Sequence, residues 1–274
     1  MFSPKSVAIV GGSGQMGQWF AKLFREHGAQ VTLYGRNKAK CAGIAKKLGV
    51  HSGSIGQGLS KAQLVMIAVS PQSFGNVAEN IGPYIRPGQR VIDITSVKEM
   101  PVKAMHRHMG KAITLGTHPM FGPLASPQGQ NFILTPTSAA ERGFALELEP
   151  YLRRMGFTVV LMGPKKHDAA IGSMLSLTHF IGFVTADTWR ELGMHSILPA
   201  SSTSFTYLKS FVNSIVGSSP ELYSYLQIHV KHAYVSESVF VRKSKEWAAM
   251  VKGRREGRLR SRMAGLRGYM GKLD

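Results

Sequence analysis

An open α/β fold is what this sequence predicts: a doubly wound, mostly parallel sheet followed by an all-helical C-terminal half. Three observations carry the prediction. Short apolar, β-branched runs alternate with helical patterns through residues 1–164. A glycine-rich turn follows the first of these runs directly. Beyond Gly163-Pro164 the strand-like runs stop and a helical period takes over.

Lys5 to Val10 reads as the first strand, followed by glycines and a helix from Met16 to His27. Gln30 to Tyr34 is a second strand and Ala39 to Leu48 a second helix. Leu64 to Val69 and Arg90 to Ile94 have the unbroken apolar character of strands buried on both faces. Ile113 to Leu115, Phe132 to Thr135 and Thr158 to Met162 complete the set. From Asp168 to Leu192 apolar residues recur at helical spacing, with Gly193 as the stop. Ser204 to Val216 is the next helix, ending at Gly217. Ser218 and Glu221 then stand at the spacing of a capping box that would start another. The expected division is a dinucleotide-binding domain over 1–164 and a helical domain over 165–274.

Gly12-Ser13-Gly14-Gln15-Met16-Gly17 lies where the first strand gives way to the first helix. In that setting the first glycine permits the tight turn and the second lets backbone approach a pyrophosphate. The third allows close packing of helix on strand, and the helix N-terminus offers free N–H groups and partial positive charge. All six residues are therefore candidate cofactor contacts in a Rossmann-type domain. Where the second strand ends, a carboxylate would bind the adenosine ribose and repel a 2′-phosphate. This chain has Arg36-Asn37-Lys38 there, three donors and no acid, which points to NADP over NAD. Ser70, after the third strand, is expected to border the nicotinamide.

The bulk properties narrow the class. A share of 43% apolar residues supports a hydrophobic core, and no uninterrupted apolar run reaches membrane-span length. The N-terminus reads as folded structure without a leader, and the single cysteine excludes an internal disulfide; both fit a cytoplasmic location. No metal site suggests itself. The net charge of +19 is unusual, and eleven basic residues against three acidic fall between Arg242 and Asp274. Its densest segment, Arg254 to Arg262, has no interleaved aromatics or known nucleic-acid motif, so the stretch reads as a solvated helix face and nucleic acid is not an expected partner.

The chemistry centres on Gly116-Thr117-His118-Pro119-Met120-Phe121-Gly122-Pro123. A histidine here sits between a strand-like segment and a turn stiffened by two prolines, at the carboxyl end of a strand, where open α/β sheets present their sites. Upstream lies Asp93-Ile94-Thr95-Ser96-Val97-Lys98, and downstream His167-Asp168 and, twelve residues on, His179-Phe180. In this order, together with the glycine loop, the set resembles the prephenate and arogenate dehydrogenase family of tyrosine biosynthesis, from Val7 to about Tyr225.

The resemblance implies an oxidoreductase that takes hydride from the ring carbon bearing a hydroxyl while the ring carboxylate leaves as carbon dioxide. His118 matches the family's catalytic histidine and Ser96 the serine that orients the same hydroxyl. His179 matches a substrate-pocket histidine, and His167 a position near the domain junction. Lys98 is carried over either as a cation near the site or as a structural residue of the turn. The helical domain is implied to pair two subunits, so the expected partners are a dianionic small molecule and a second copy of the chain, with no membrane. One departure stands out: the family's carboxylate-clamping arginine has no counterpart in Ser210 to Ile215, and Lys209 is the nearest replacement, with Arg242 or Lys231 as others. Two rival readings remain. One is an NADP-dependent β-hydroxyacid or imine reductase, which the lack of a lysine between Asp168 and Arg190 disfavours. The other is a basic binding protein without catalysis.

Overall fold

The computed structural model describes residues 2–56, 58–194, 202–217, 219–230 and 233–272. The chain divides into two compact units, Met1–Ile171 with Pro220–Tyr225, and Gly172–Ser219 with Leu226–Asp274.

The first unit is an eight-stranded sheet. Its strands are β1 (Ser6–Val10), β2 (Gln30–Tyr34), β3 (His51–Ser52), β4 (Leu64–Ile67), β5 (Arg90–Asp93), β6 (Ile113–Pro119), β7 (Asn131–Thr135) and β8 (Thr158–Leu161), in the order β3-β2-β1-β4-β5-β6-β7-β8. Between them lie α1 (Gln15–Glu26), α2 (Lys38–Leu48), α3 (Pro71–Ile81), α4 (Glu99–Met109) and α5 (Ala139–Arg154), with α6 (Pro164–Ile171) after β8. The unbroken apolar runs have a simple cause. Alternate residues of a strand face opposite sides, so Val7, Ile9, Leu64 and Met66 join one core with Phe20, Phe24 and Phe144. Ala8, Val10, Val65 and Ile67 join another with Phe74, Val102 and Met105.

Every neighbouring pair is parallel except β6 and β7. A parallel return needs a crossover element, and Met120–Gln130 carries Gly122, Pro123, Pro127 and Gly129 and no helix. The chain therefore doubles back. This corrects the sequence reading at its centre: β6 does not stop at Leu115 but runs through Pro119, so His118 is a strand residue in register with Ile133 rather than part of a turn. The helix expected from Asp168 also differs. It starts at Pro164, widens into a π turn over Gly172–Ser176 and continues as α7 (Leu177–Glu191).

The second unit holds α7, α8 (Thr203–Val216), the last residues of α9 (Pro220–His229), α10 (Ala233–Lys252) and α11 (Glu256–Met270). Helices α7 and α8 meet closely where Gly182 lies, since a Cβ there would stand 3.0 Å from the Ile215 side chain. Glu246 of α10 binds Arg262 of α11 at 2.8 Å, and that guanidinium lies over Trp247. Ser218 of the expected capping box lies outside the described residues.

The helical stretch Pro164–Glu191 is long and apolar enough on average to cross a membrane by length and composition alone, although polar residues interrupt it. Buried His167, Asp168, Ser176 and His179 punctuate it, and its first turns, Pro164–Ile171, belong to the sheet unit.

Candidate active site

The carboxyl ends of β1, β4, β5 and β6 open on one edge of the sheet, and the chain order reverses between β1 and β4. Such a switch point is where doubly wound sheets bind ligands. Gly11, one residue ahead of the expected motif, makes the turn there with φ +86°, and a Cβ on it would fall 2.3 Å from the Ala68 carbonyl oxygen. The N–H groups of Gly11 and Gly12 both donate to the Tyr34 carbonyl, tying the loop to β2. At Gly17 a Cβ would lie 2.7 Å from the Gly11 carbonyl oxygen and 2.9 Å from the Gly12 Cα, so the third glycine lets α1 rest on the turn. At Gly14 a Cβ would press on the Gly11 carbonyl oxygen at 3.3 Å, a milder conflict than at Gly11 or Gly17. The site that Gly12, Ser13, Gly14, Gln15 and Met16 surround at the start of α1 carries no acidic side chain in its first turn. These residues fit a pyrophosphate.

At the end of β2, Arg36 and Lys38 are exposed. Asn37 has a local task as well, since its side-chain oxygen caps α2 by accepting from the Lys40 N–H at 2.9 Å. Ser70 precedes α3, with its hydroxyl 3.2 Å from that of Ser73, and follows the Ala68 carbonyl that abuts the glycine turn.

His118, next to last in β6, lies on the same edge. Its Nδ1 lies 2.9 Å from Nε2 of His167, whose Nδ1 in turn lies 2.7 Å from Oδ1 of Asp168. Asp168 accepts from the backbone N–H of Lys98 at 2.7 Å and of Glu99 at 2.9 Å, where α4 begins. His118 is 5% exposed and His167 fully buried. Burial holds the His118 pKa well below the usual histidine value, and the neighbouring His167 and Lys98 add to the effect. Burial lowers His167 too, with the bond to Asp168 opposing it. Both imidazoles are therefore neutral at neutral pH, and His167 falls in the first turn of α6, with its N–H bonded to the Gly163 carbonyl.

Lys98 is fully buried, and its ammonium binds the Asp93 carboxylate and the Thr117 carbonyl. Asp93 also accepts from the N–H of Thr95 at 2.9 Å and of Thr117 at 3.2 Å, and Thr117 donates its hydroxyl to the Asp93 carbonyl. Of the two roles open to Lys98, the structural one accounts for every contact of its ammonium. Ser96, half-buried, lies in the β5–α4 connection beside this cluster.

The remaining expected residues are in the helical unit. His179 is buried in α7, and burial pushes its pKa down to about 4. Lys209 is exposed on α8, and Arg242 of α10 is paired with Glu246 at 3.0 Å. Lys231 lies outside the described residues. Sequence reasoning passed over Gly11 and Asp168. The Gly11-Gly12 pair and the acid following His167 were the available signals.

The profile of the prephenate dehydrogenase nucleotide-binding domain matches residues 20–169. A Methanocaldococcus jannaschii protein named "Probable arogenate/prephenate dehydrogenase" is 31% identical over 259 residues, 92% of this chain, which spans 58% of that relative's length. The fold matches the crystal structure of prephenate dehydrogenase from A. aeolicus in complex with hydroxyphenyl propionate and NAD+ with a TM-score of 0.80 at 22% identity, covering 100% of this chain and 99% of the other. It matches Synechocystis arogenate dehydrogenase with a TM-score of 0.76 at 18% identity, covering 98% and 100%. With its domain profile matching more than half of the sequence, this chain belongs to the prephenate dehydrogenase family.

Proposed function

We propose that the protein oxidises prephenate or arogenate to 4-hydroxyphenylpyruvate or tyrosine, with loss of carbon dioxide and with NADP as hydride acceptor. The observation that carries this reading is a buried, neutral histidine, His118, on the sheet edge that the glycine turn prepares for a dinucleotide. A bound nicotinamide would supply the acceptor for the hydride. The chain supplies the rest. As hydride leaves the ring carbon, its hydroxyl becomes a carbonyl, and His118 takes the proton. Ser96 orients that hydroxyl, and loss of the carboxylate makes the ring aromatic. Gly12 to Gly17 cradle the pyrophosphate and Ser70 borders the nicotinamide.

Arg36 and Lys38, free of any neighbouring acid at the start of α2, support the choice of NADP over NAD. His179 and Lys209 are assigned to the substrate side and His167 to the wall behind His118, and the ammonium of Lys98 holds the strand that carries His118. The functional division is taken as a dinucleotide domain over 1–164 and a helical substrate domain over 165–274, with α6 and the start of α9 packed in the sheet unit. A homodimer is supported by the exposed apolar side chains of the helical unit, among them Tyr234, Val235, Val239 and Met263. A cytoplasmic location accords with the single, buried Cys41. The test is steady-state reduction of NADP and NAD with prephenate, arogenate and simple 3-hydroxyacids. Turnover with the hydroxyacids alone would overturn the assignment.

A further inference from the structure

Resting on the dehydrogenase reading, the hydrogen-bond chain behind His118 fixes which of its nitrogens can act as the base. Its direction can be traced from the end where it is unambiguous. The backbone N–H groups of Lys98 and Glu99 can only donate, and each meets one oxygen of Asp168. Oδ1 of Asp168, already accepting from Lys98, stands 2.7 Å from Nδ1 of His167, so that nitrogen carries a hydrogen. A neutral imidazole has one N–H, which leaves a lone pair on Nε2 of His167. Nδ1 of His118, 2.9 Å from that lone pair, must then donate. The same rule leaves Nε2 of His118 without a hydrogen.

We infer that Asp168 and His167 are positioning residues that lock His118 in its Nδ1–H tautomer, so that Nε2 is the atom that accepts the substrate proton. The opposite tautomer would set the Nδ1 lone pair of His167 against an acceptor oxygen at 2.7 Å. It would also require His167 to donate through Nε2. The chain is built into the fold: His167 is fully buried, and Asp168 is held by two backbone groups where α4 begins. When His118 takes a proton on Nε2 its Nδ1–H stays in place, so His167 keeps accepting and moves no proton of its own. An orienting acid behind a catalytic imidazole acts in the same sense in hydrolytic triads.

The experiment is nitrogen-15 NMR of the full chain labelled at histidine, with His118→Asn used to assign the His118 signals. The expected spectrum at neutral pH shows Nδ1 of His118 protonated and Nε2 bare. Asp168→Asn turns one of two acceptor oxygens into an amide donor that faces the N–H groups of Lys98, Glu99 and His167. It should raise the Nε2–H population of His118 and lower kcat at least about 100-fold, with KM for the nicotinamide within about threefold. An Nε2-protonated His118 in the wild type, or an Asp168→Asn enzyme with unchanged kcat, overturns the lock. If Asp168→Asn does not fold, the wild-type spectrum alone decides. The expected tautomer in a protein that turns over none of the substrates would sink the dehydrogenase reading and leave the lock standing.

Discussion

Replacing Lys98 by methionine separates its two roles, as a substrate cation or as a structural anchor. The ammonium is fully buried against an equally buried carboxylate, Asp93. Methionine keeps most of the volume and removes the charge. Asp93 would retain donors from Thr95 and Thr117 but would have no counter-charge. Stranding one member of a buried ion pair costs about 3–5 kcal/mol. Against a total stability of roughly 5–15 kcal/mol this is a large fraction. At about 2–4 °C per kcal/mol for a chain of this size it lowers Tm by roughly 6–20 °C. Lys98→Met with Asp93→Asn removes both charges and should recover most of the loss. The assay is thermal and urea unfolding of the two single variants and the pair, with kcat and KM from the same preparations. kcat should fall as well, because the Thr117 carbonyl that Lys98 holds adjoins His118. A Lys98→Met protein that loses less than about 1 kcal/mol yet raises KM for the substrate would refute the argument and place the ammonium in the substrate site.

Three further outcomes are expected. His118→Asn should cut kcat by about 10²–10⁴-fold while the Kd for the nicotinamide, measured by titration calorimetry, stays within about threefold; near-normal turnover contradicts its role as base. Arg36→Ser removes charge-assisted hydrogen bonds of about 1.5–3 kcal/mol and should weaken NADP roughly 10- to 100-fold, with little change for NAD. An equal loss for both cofactors contradicts the 2′-phosphate assignment. For His179 the folded pKa of about 4 lies below the ordinary value of 6.5, so its contribution is fully present above pH 6.5 and is lost as pH falls toward 4. That amounts to about 3 kcal/mol. Urea midpoints compared at pH 7 and pH 4.5 should therefore move less in His179→Gln than in the wild type, and an identical dependence would show that His179 does not titrate in this window.

The sheet was legible because its strands are local patterns: β1, β2, β4 and β5 are apolar runs whose two faces both meet a core. The end of β6 was hidden because Gly116 and Pro119 are residues of turns. In the fold Gly116 is demanded by packing, since a Cβ would lie 2.4 Å from Thr135 Oγ1 and 2.6 Å from Val102 Cγ2. Pro119 sits at the last position of the strand, where a missing donor is tolerated. The glycine loop was legible in composition but not in its geometry, because the left-handed residue is Gly11 and the motif begins at Gly12. Asp168 was legible as a neighbour of His167 but not in its role. Its partners are the backbone N–H groups of residues about seventy positions earlier, and a backbone donor leaves no mark on a sequence.

Lys98 ties both sides of His118 to one residue. Its side chain holds the Thr117 carbonyl and the Asp93 carboxylate, and Asp93 also takes the Thr117 N–H, so both backbone groups of the residue before His118 are fixed from one side. Its own N–H holds Asp168, which fixes His118 from the other side through His167. One residue thus sets where the imidazole sits and which nitrogen it presents. Arginine cannot substitute for it: a planar guanidinium is larger than an ammonium, and the site has no solvent-exposed surface into which it could expand. The ammonium matters to the chemistry although every contact of its charge is with the protein, because it fixes the strand that carries His118. The backbone N–H of the same residue aims the lone pair of the base through Asp168 and His167, three hydrogen bonds away.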